Sequence, residues 1–160
     1  MITLKIDGEK RFLGGLEKIS SRAARRDLFD EIGSYGVSST QQRFMDQKGP
    51  DGEKWQQSAR AKEQGGQTLR DDNHLFNSLA HEASADHAAW GSNRIYAAIH
   101  QIGGKIRAKS ANALKFFIGG SFVQVKSVTM PARPYLGVNS KDETEIEAIV
   151  RDWVDGSFAR

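Results

Sequence analysis

The chain has 160 residues, 38% of them hydrophobic and 27% charged, with 3 prolines and no cysteine. That length suits one domain over residues 1–160 with a real core, and the composition excludes a disordered tail. The missing thiols exclude disulfides, thiolate zinc sites and cysteine nucleophiles; they leave the redox compartment undetermined but fit a reducing cytoplasm.

A net charge of +3 and an isoelectric point near 9.2 are too mild to establish nucleic-acid binding. No apolar run approaches the roughly 20 residues that cross a bilayer. Met1 to Gly8 carries no signal-peptide stretch, so the protein is expected in the cytosol until something incorporates it.

In chain order, Ile2, Leu4 and Ile6 alternate with Thr3, Lys5 and Asp7 ahead of Gly8, which predicts a short strand. Leu13, Leu16, Ile19 and Ala23, continued by Leu28, Ile32, Tyr35 and Phe44, form a helical stripe. The spacing predicts one long helix to about Gln47, with Gly33 and Gly36 as the places where it bends.

Residues 48–70 are polar and carry Gly49, Pro50, Gly52, Gly65 and Gly66, with Trp55 as the one large apolar anchor, so they read as a long loop. Loops of that length in compact domains are either disordered or used for binding. Asp71 or Asp72 would then N-cap a short helix bearing Leu75, Phe76 and Leu79. Two strands near residues 81–85 and 88–91 follow, and then a helix over residues 95–102 that Gly103-Gly104 closes.

Residues 105–128 form the most basic stretch. Its first part, Lys105 to Ala113, reads as a mobile arm. Leu114 to Ile118 and Phe122 to Val128 then make a hairpin around Gly119-Gly120. From Lys105 to Pro134 the chain carries bases and no acid, whereas Lys141 to Asp155 is mainly acidic. The two surfaces meet within a subunit, between neighbours, or not at all. Ser140-Lys141-Asp142-Glu143 has the form of a capping box, and Ile146, Ile149, Val150, Trp153 and Val154 follow at the spacing of a buried helical stripe that Gly156 ends. Strands and helices without βαβ alternation predict an α+β domain: a long N-terminal helix, a small antiparallel sheet with an extended hairpin, and an amphipathic C-terminal helix.

Catalytic chemistry is not supported. His81-Glu82 begins like a zincin helix, but Ala85 stands where the second histidine is needed, and His74, His87 and His100 supply no ligand spacing. Gly103-Gly104-Lys105 is followed by Ile106 rather than a hydroxyl, so no phosphate loop is present. No Gly-x-Ser-x-Gly elbow occurs. No catalytic residue, metal ligand or cofactor is predicted.

Three turn-anchored segments carry more information: Pro50-Asp51-Gly52-Glu53-Lys54-Trp55, Tyr96 to Gly104, and Met130-Pro131-Ala132-Arg133-Pro134-Tyr135-Leu136-Gly137. Each joins an apolar anchor to Gly or Pro, which fix backbone direction. Their order and spacing, with Leu69, Leu75, Ser78 and Leu79, resemble the phage virion morphogenesis family, the small tail-completion proteins of Mu-like and P2-like contractile-tailed bacteriophages. The resemblance runs from about Phe44 to the closing helix.

It implies a structural, non-enzymatic virion protein that completes the tail and helps join it to the head, located at the tail or neck after assembly in the host cytoplasm. The implied partners are further copies in a ring, most simply a hexamer, and other tail and neck or connector proteins, with phage DNA nearby but not specifically bound and no membrane. A tail terminator or neck adaptor fits the same features. A reading of another class, a nucleic-acid-binding module, would use the basic 105–128 segment with its aromatics.

The candidate interface or structural anchors are Trp55, Tyr96, His100, Phe116, Phe117, Phe122 and Arg133. Trp55 would pin the 48–70 loop, and His100 would orient the helix end before Gly103. Pro131 and Pro134 restrict the backbone around Arg133, whose guanidinium would bind a neighbour's carboxylate or pair with the closing helix.

Overall fold

The computed structural model of the protein describes residues 9–109, 113–118 and 120–158. The strand expected over residues 1–7 lies outside them, as do Gly119 of the hairpin turn and part of the expected arm. Helices and two-stranded sheets are mixed in the α+β manner predicted from the sequence. The chain divides into two units. One gathers the chain up to Gly36, His81–Trp90 and the part from Ser140 onward; the other comprises Val37–Ala80 and Gly91–Asn139.

In the first unit the expected single N-terminal helix is two, α1 (Glu9–Ser20) and α2 (Arg22–Asp46). The break falls at Ser21, not at a glycine. The Ser21 N–H donates to the carbonyls of Glu17 and Lys18, while its Oγ accepts from the Ala24 N–H at 3.5 Å and its carbonyl from Arg25. One serine thus closes α1 and caps α2, the role a short hydroxyl side chain favours.

Gly33 and Gly36 do not bend α2. A Cβ on Gly33 would lie 2.6 Å from the His81 ring, and one on Gly36 would lie 2.4 Å from the Trp90 ring. Both glycines therefore serve close approach of the strands β1 (Leu79–Ala83) and β2 (Ala88–Ser92), which pair with each other. The turn between them is closed by Ser84 N–H donating to the His87 carbonyl.

The closing helix α5 (Ser140–Phe158) starts where the capping box placed it but runs through Gly156, whose added Cβ would meet nothing. It packs against α1, with Phe12 and Phe158 stacked at 6.0 Å. The expected buried stripe is only half-buried, and Val150 is exposed. The buried positions are Asp142, which accepts from the Tyr35 hydroxyl at 3.0 Å, and Ser157.

The second unit holds an aromatic core. Phe44, fully buried near the end of α2, meets Trp55, Tyr135 and Phe76 with ring centroids 5.4, 5.3 and 5.9 Å away, and Leu75, Leu79 and Ala97 complete the cluster. Such pairs contribute about 0.5–1.5 kcal/mol each beyond their buried area.

The segment expected as a loop over residues 48–70 contains a helix, α3 (Ala59–Gln64), capped by Ser58 and ended by Gly65 at φ 72°. Its flank is held by Gln47, whose amide accepts from the Thr68 N–H at 2.6 Å and donates to the Thr68 carbonyl at 3.0 Å. The helix expected after Asp71 is a single 3-10 turn, Phe76–Ser78, with no side-chain cap; Asp71 pairs instead with Arg60 at 3.3 Å.

Helix α4 (Ala97–Ile102) ends at Gly103 as predicted. The expected arm begins as a strand, β3 (Gly104–Arg107), antiparallel to β6 (Ser127–Met130) with Ile106 opposite Val128. The hairpin is β4 (Leu114–Ile118) and β5 (Ser121–Val125), so its second arm stops before Lys126 rather than reaching Val128.

Adding a methyl group separates glycines that allow contact from glycines that merely sit in a helix. Gly36→Ala is expected to lower stability by about 1–3 kcal/mol because the Trp90 ring must move. Gly156→Ala should raise it by about 0.5–1 kcal/mol, the helix-propensity gain where space is open. Urea unfolding of the two variants checks both signs.

Candidate functional site

The three turn-anchored segments come together in the second unit. In the first, Gly52 adopts φ 83°, and its N–H donates to the Gly49 carbonyl while Gly49 N–H donates to Glu53. The Asp51 carboxylate accepts from the Glu53 N–H at 3.1 Å. This tight turn delivers Trp55 into the core, where its Nε1 donates to the Pro134 carbonyl at 2.8 Å. Trp55 therefore links the first segment to the third.

Beyond Met130, the third segment and the chain on to Asn139 run without strand or helix, so their backbone groups need partners elsewhere. Gln101 on α4 supplies three: its Oε1 accepts from the N–H groups of Tyr135 and Leu136 at 2.9 and 3.0 Å, and its Nε2 donates to the Leu136 carbonyl at 2.9 Å. Arg43 Nη1 donates to the carbonyls of Tyr135 and Gly137 at 3.0 and 2.8 Å. Asn139 Nδ2 donates to the Pro50 carbonyl. The fully buried Tyr135 sends its hydroxyl to the Ala97 carbonyl at 3.2 Å, and burial raises its pKa. Gly103, at φ 70°, lets the chain pass closely, since a Cβ there would lie 2.7 Å from the Ala132 nitrogen.

Beside this junction lies a cleft of about 560 Å³ lined by Leu75, Asp72, Tyr96, His100, Met130 and Arg133, among others. Arg133 is 4% exposed, and its Nε donates to the Gln56 carbonyl at 2.8 Å. The Arg133 N–H donates to the His100 carbonyl at 2.7 Å. Burial lowers the pKa of His100, and the neighbouring guanidinium lowers it further. The His100 Nδ1 is buried without a hydrogen-bond partner among the described residues, and Tyr96 stands edge-on to the ring at 5.9 Å.

Of the residues singled out from the sequence, Tyr96, His100 and Arg133 share the cleft, and Trp55 lies behind it in the core. The phenylalanines form a separate feature on the hairpin. Phe117 and Phe122 are cross-strand partners with centroids 5.4 Å apart, 72% and 56% exposed, while Phe116 is half-buried on the other face. Sequence reasoning missed Arg43 and Gln101, although Gln101 lies inside the second segment. Among the described residues no three His, Asp or Glu side chains gather as a metal site, and no helix is long and apolar enough to cross a membrane.

Residues 7–155 match the phage virion morphogenesis family. The chain belongs to that family. It is also 28% identical over 154 residues, 96% of each chain, to a protein of Haemophilus influenzae (strain Rd) named Mu-like prophage FluMu G protein 2. No solved structure matches. The match begins at residue 7, well before Phe44, so α1 and α2 lie within the matched residues. The family assigns the chain to the assembly of phage particles.

Two expectations concern the junction. Gln101→Ala leaves two N–H groups and one carbonyl of the Tyr135–Leu136 backbone without their partner, and should cost about 2–4 kcal/mol in urea unfolding. For His100, the folded pKa lies below the ordinary 6.5, so the unfolded chain binds more protons once the pH falls below that value. The contribution of His100 is present above pH 6.5 and lost as the pH falls from there through the lowered folded pKa. Tm measured against pH should decline in this range, and His100→Gln should flatten the decline.

Proposed function

We propose that this protein is a structural, non-enzymatic component of the virion that completes the tail and helps form its joint with the head. It assembles in the host cytoplasm as a ring of copies, most simply six, and meets other tail and neck proteins in the finished particle. The observation that carries this reading is the family match over residues 7–155, which makes virion morphogenesis the process in which the chain takes part.

The arrangement of the second unit supports assembly over catalysis. Backbone groups of the first and third segments are engaged by the chain's own side chains, Gln101, Arg43, Trp55 and Asn139, which makes a stiff body rather than a reactive centre. The β4–β5 hairpin is the element to dock on a neighbour. A lone two-stranded hairpin is marginally stable, and this one presents Phe117, Ile118 and Phe122 to solvent. Covering aromatics of that size removes about 150–250 Å² of surface each. Head-to-tail contacts of this kind close into rings when the rotation permits.

The same exposed pair beside Lys115 and Lys126 favours the nucleic-acid reading as the competitor, because aromatic faces stack on bases and lysines meet phosphates.

Electron microscopy of lysates from the parent phage or prophage lacking this gene separates the readings. Filled heads beside unjoined tails are expected, and a complementing copy with Phe117→Ser and Phe122→Ser should leave the same defect. Tails of abnormal length would make the protein a terminator. Normal infectious particles would overturn the structural role and direct attention to salt-dependent nucleic-acid binding.

A further inference from the structure

Arg133 is a buried cation without a counter-charge among the described residues. Among the described residues no carboxylate lies within ion-pair distance of it, and of its guanidinium only Nε is hydrogen-bonded, to the Gln56 carbonyl. Its terminal nitrogens are not among the fully enclosed atoms that lack partners, so they open to the cleft. Removing a charge from water without a paired partner is costly. His100 lines the same cleft beside it, and its Nδ1 is enclosed and without a hydrogen-bond partner among the described residues. The acids at the rim do not meet the need, since Asp71 is engaged with Arg60 at 3.3 Å, and Asp72 is exposed and carries no ion pair with Arg133.

The cleft, at about 560 Å³, is large enough for one side chain and the backbone around it. Its apolar wall of Leu75 and Met130, and the Tyr96 ring at the rim, suit the methylenes of an aspartate or glutamate side chain. A planar guanidinium with two free terminal nitrogens matches a carboxylate bidentately. Pro131 and Pro134 flank Arg133 and hold its backbone, while the 2.7 Å bond from its N–H to the His100 carbonyl fixes the two residues' backbones relative to each other. Little conformational freedom remains to be lost on binding.

We propose that this cleft is a carboxylate-binding pocket, in which the Arg133 guanidinium, beside His100 in the cleft wall, takes an acidic side chain from another polypeptide. The pocket chemistry stands apart from the tail-joining reading, and only the source of the carboxylate, an assembly partner or a second copy, rests on it. The exposed acids of α5, Glu143, Glu145 and Glu147, make a second copy a competent source.

The test is NMR titration of the full-length protein with N-acetylglutamate, following the Arg133 Nε–Hε and His100 ring signals. Saturable shifts with a dissociation constant on the order of 1 mM are expected for a ligand of this size. Arg133→Met should abolish them. Because that variant also loses the bond to Gln56 and can fail to fold, Asp72→Asn at the exposed rim serves as a second probe. Removing the like charge there should tighten binding about two- to fivefold.

Three results would overturn the assignment: no saturable shift, an equal response to N-acetylglutamine, or tighter binding of inorganic phosphate than of the carboxylate. Where the probe binds, dilution of the protein alone names the source. Movement of the same two signals on dilution, lost in a Glu143→Gln, Glu145→Gln, Glu147→Gln variant, assigns a second copy; constancy assigns a different polypeptide. Normal tail joining by a protein without probe binding would leave the function standing and remove only the pocket.

Discussion

The second unit depends on how an irregular segment satisfies its backbone. Residues 131–139 cross the aromatic core without joining a sheet or helix, and an unpaired backbone group in such a place costs about as much as a lost hydrogen bond. The solution is a set of long polar side chains reaching in from α2 and α4. Gln101 mimics a strand edge, offering one acceptor to two N–H groups and one donor to a carbonyl. Arg43 closes two further carbonyls from the other side. With these fixed, Tyr135 is held in the core against Phe44, and Trp55 can reach Pro134.

That dependence explains which parts of the fold were legible in the sequence. Helix α5, helix α4 and the β4–β5 hairpin announce themselves through periodicity and through Gly or Ser at or beside an end, even where the face so marked is only half-buried. Strand β3 has no such signal. All four of its residues are exposed, and it exists because its backbone pairs with β6. Helix α3 was hidden by polar composition, although Ser58 and Gly65 bracket it and Ala61, 1% exposed, anchors it. The break at Ser21 was masked because the apolar stripe continues on both sides of it. Gly33 and Gly36 misled for a related reason: a glycine in a helix looks like a weakness, and here it is a fitted surface against His81 and Trp90.

The candidate site was legible where a rare residue type sat beside a backbone-fixing one. Trp55 after Pro50 and Gly52, His100 before Gly103, and Arg133 between two prolines all drew attention for that reason. Arg43 and Gln101 did not, because an arginine or glutamine on a helix is ordinarily a solvated residue and nothing local distinguishes these two. Their role is set by a segment more than thirty residues away in each case. Local pattern therefore locates the turns of the junction, and only tertiary structure identifies the side chains that hold it.

Two features of the folded subunit are unfavourable for a lone molecule in water: an apolar hairpin tip of Phe117, Ile118 and Phe122, and the buried Arg133, which has no counter-charge among the described residues. Neither helps the subunit fold. Both are held in place by the fold, since the bond from Nε to the Gln56 carbonyl ties the Arg133 side chain down and the β4–β5 pairing keeps Phe117 beside Phe122. In a particle of the kind proposed, both costs are relieved by contact with another chain. Apolar burial supplies much of the affinity, and the buried guanidinium restricts which chain is accepted, because an incorrect partner would leave the charge unpaired. The proposed assembly role benefits from this division, with the exposed tip making early contact and the buried arginine testing what has arrived.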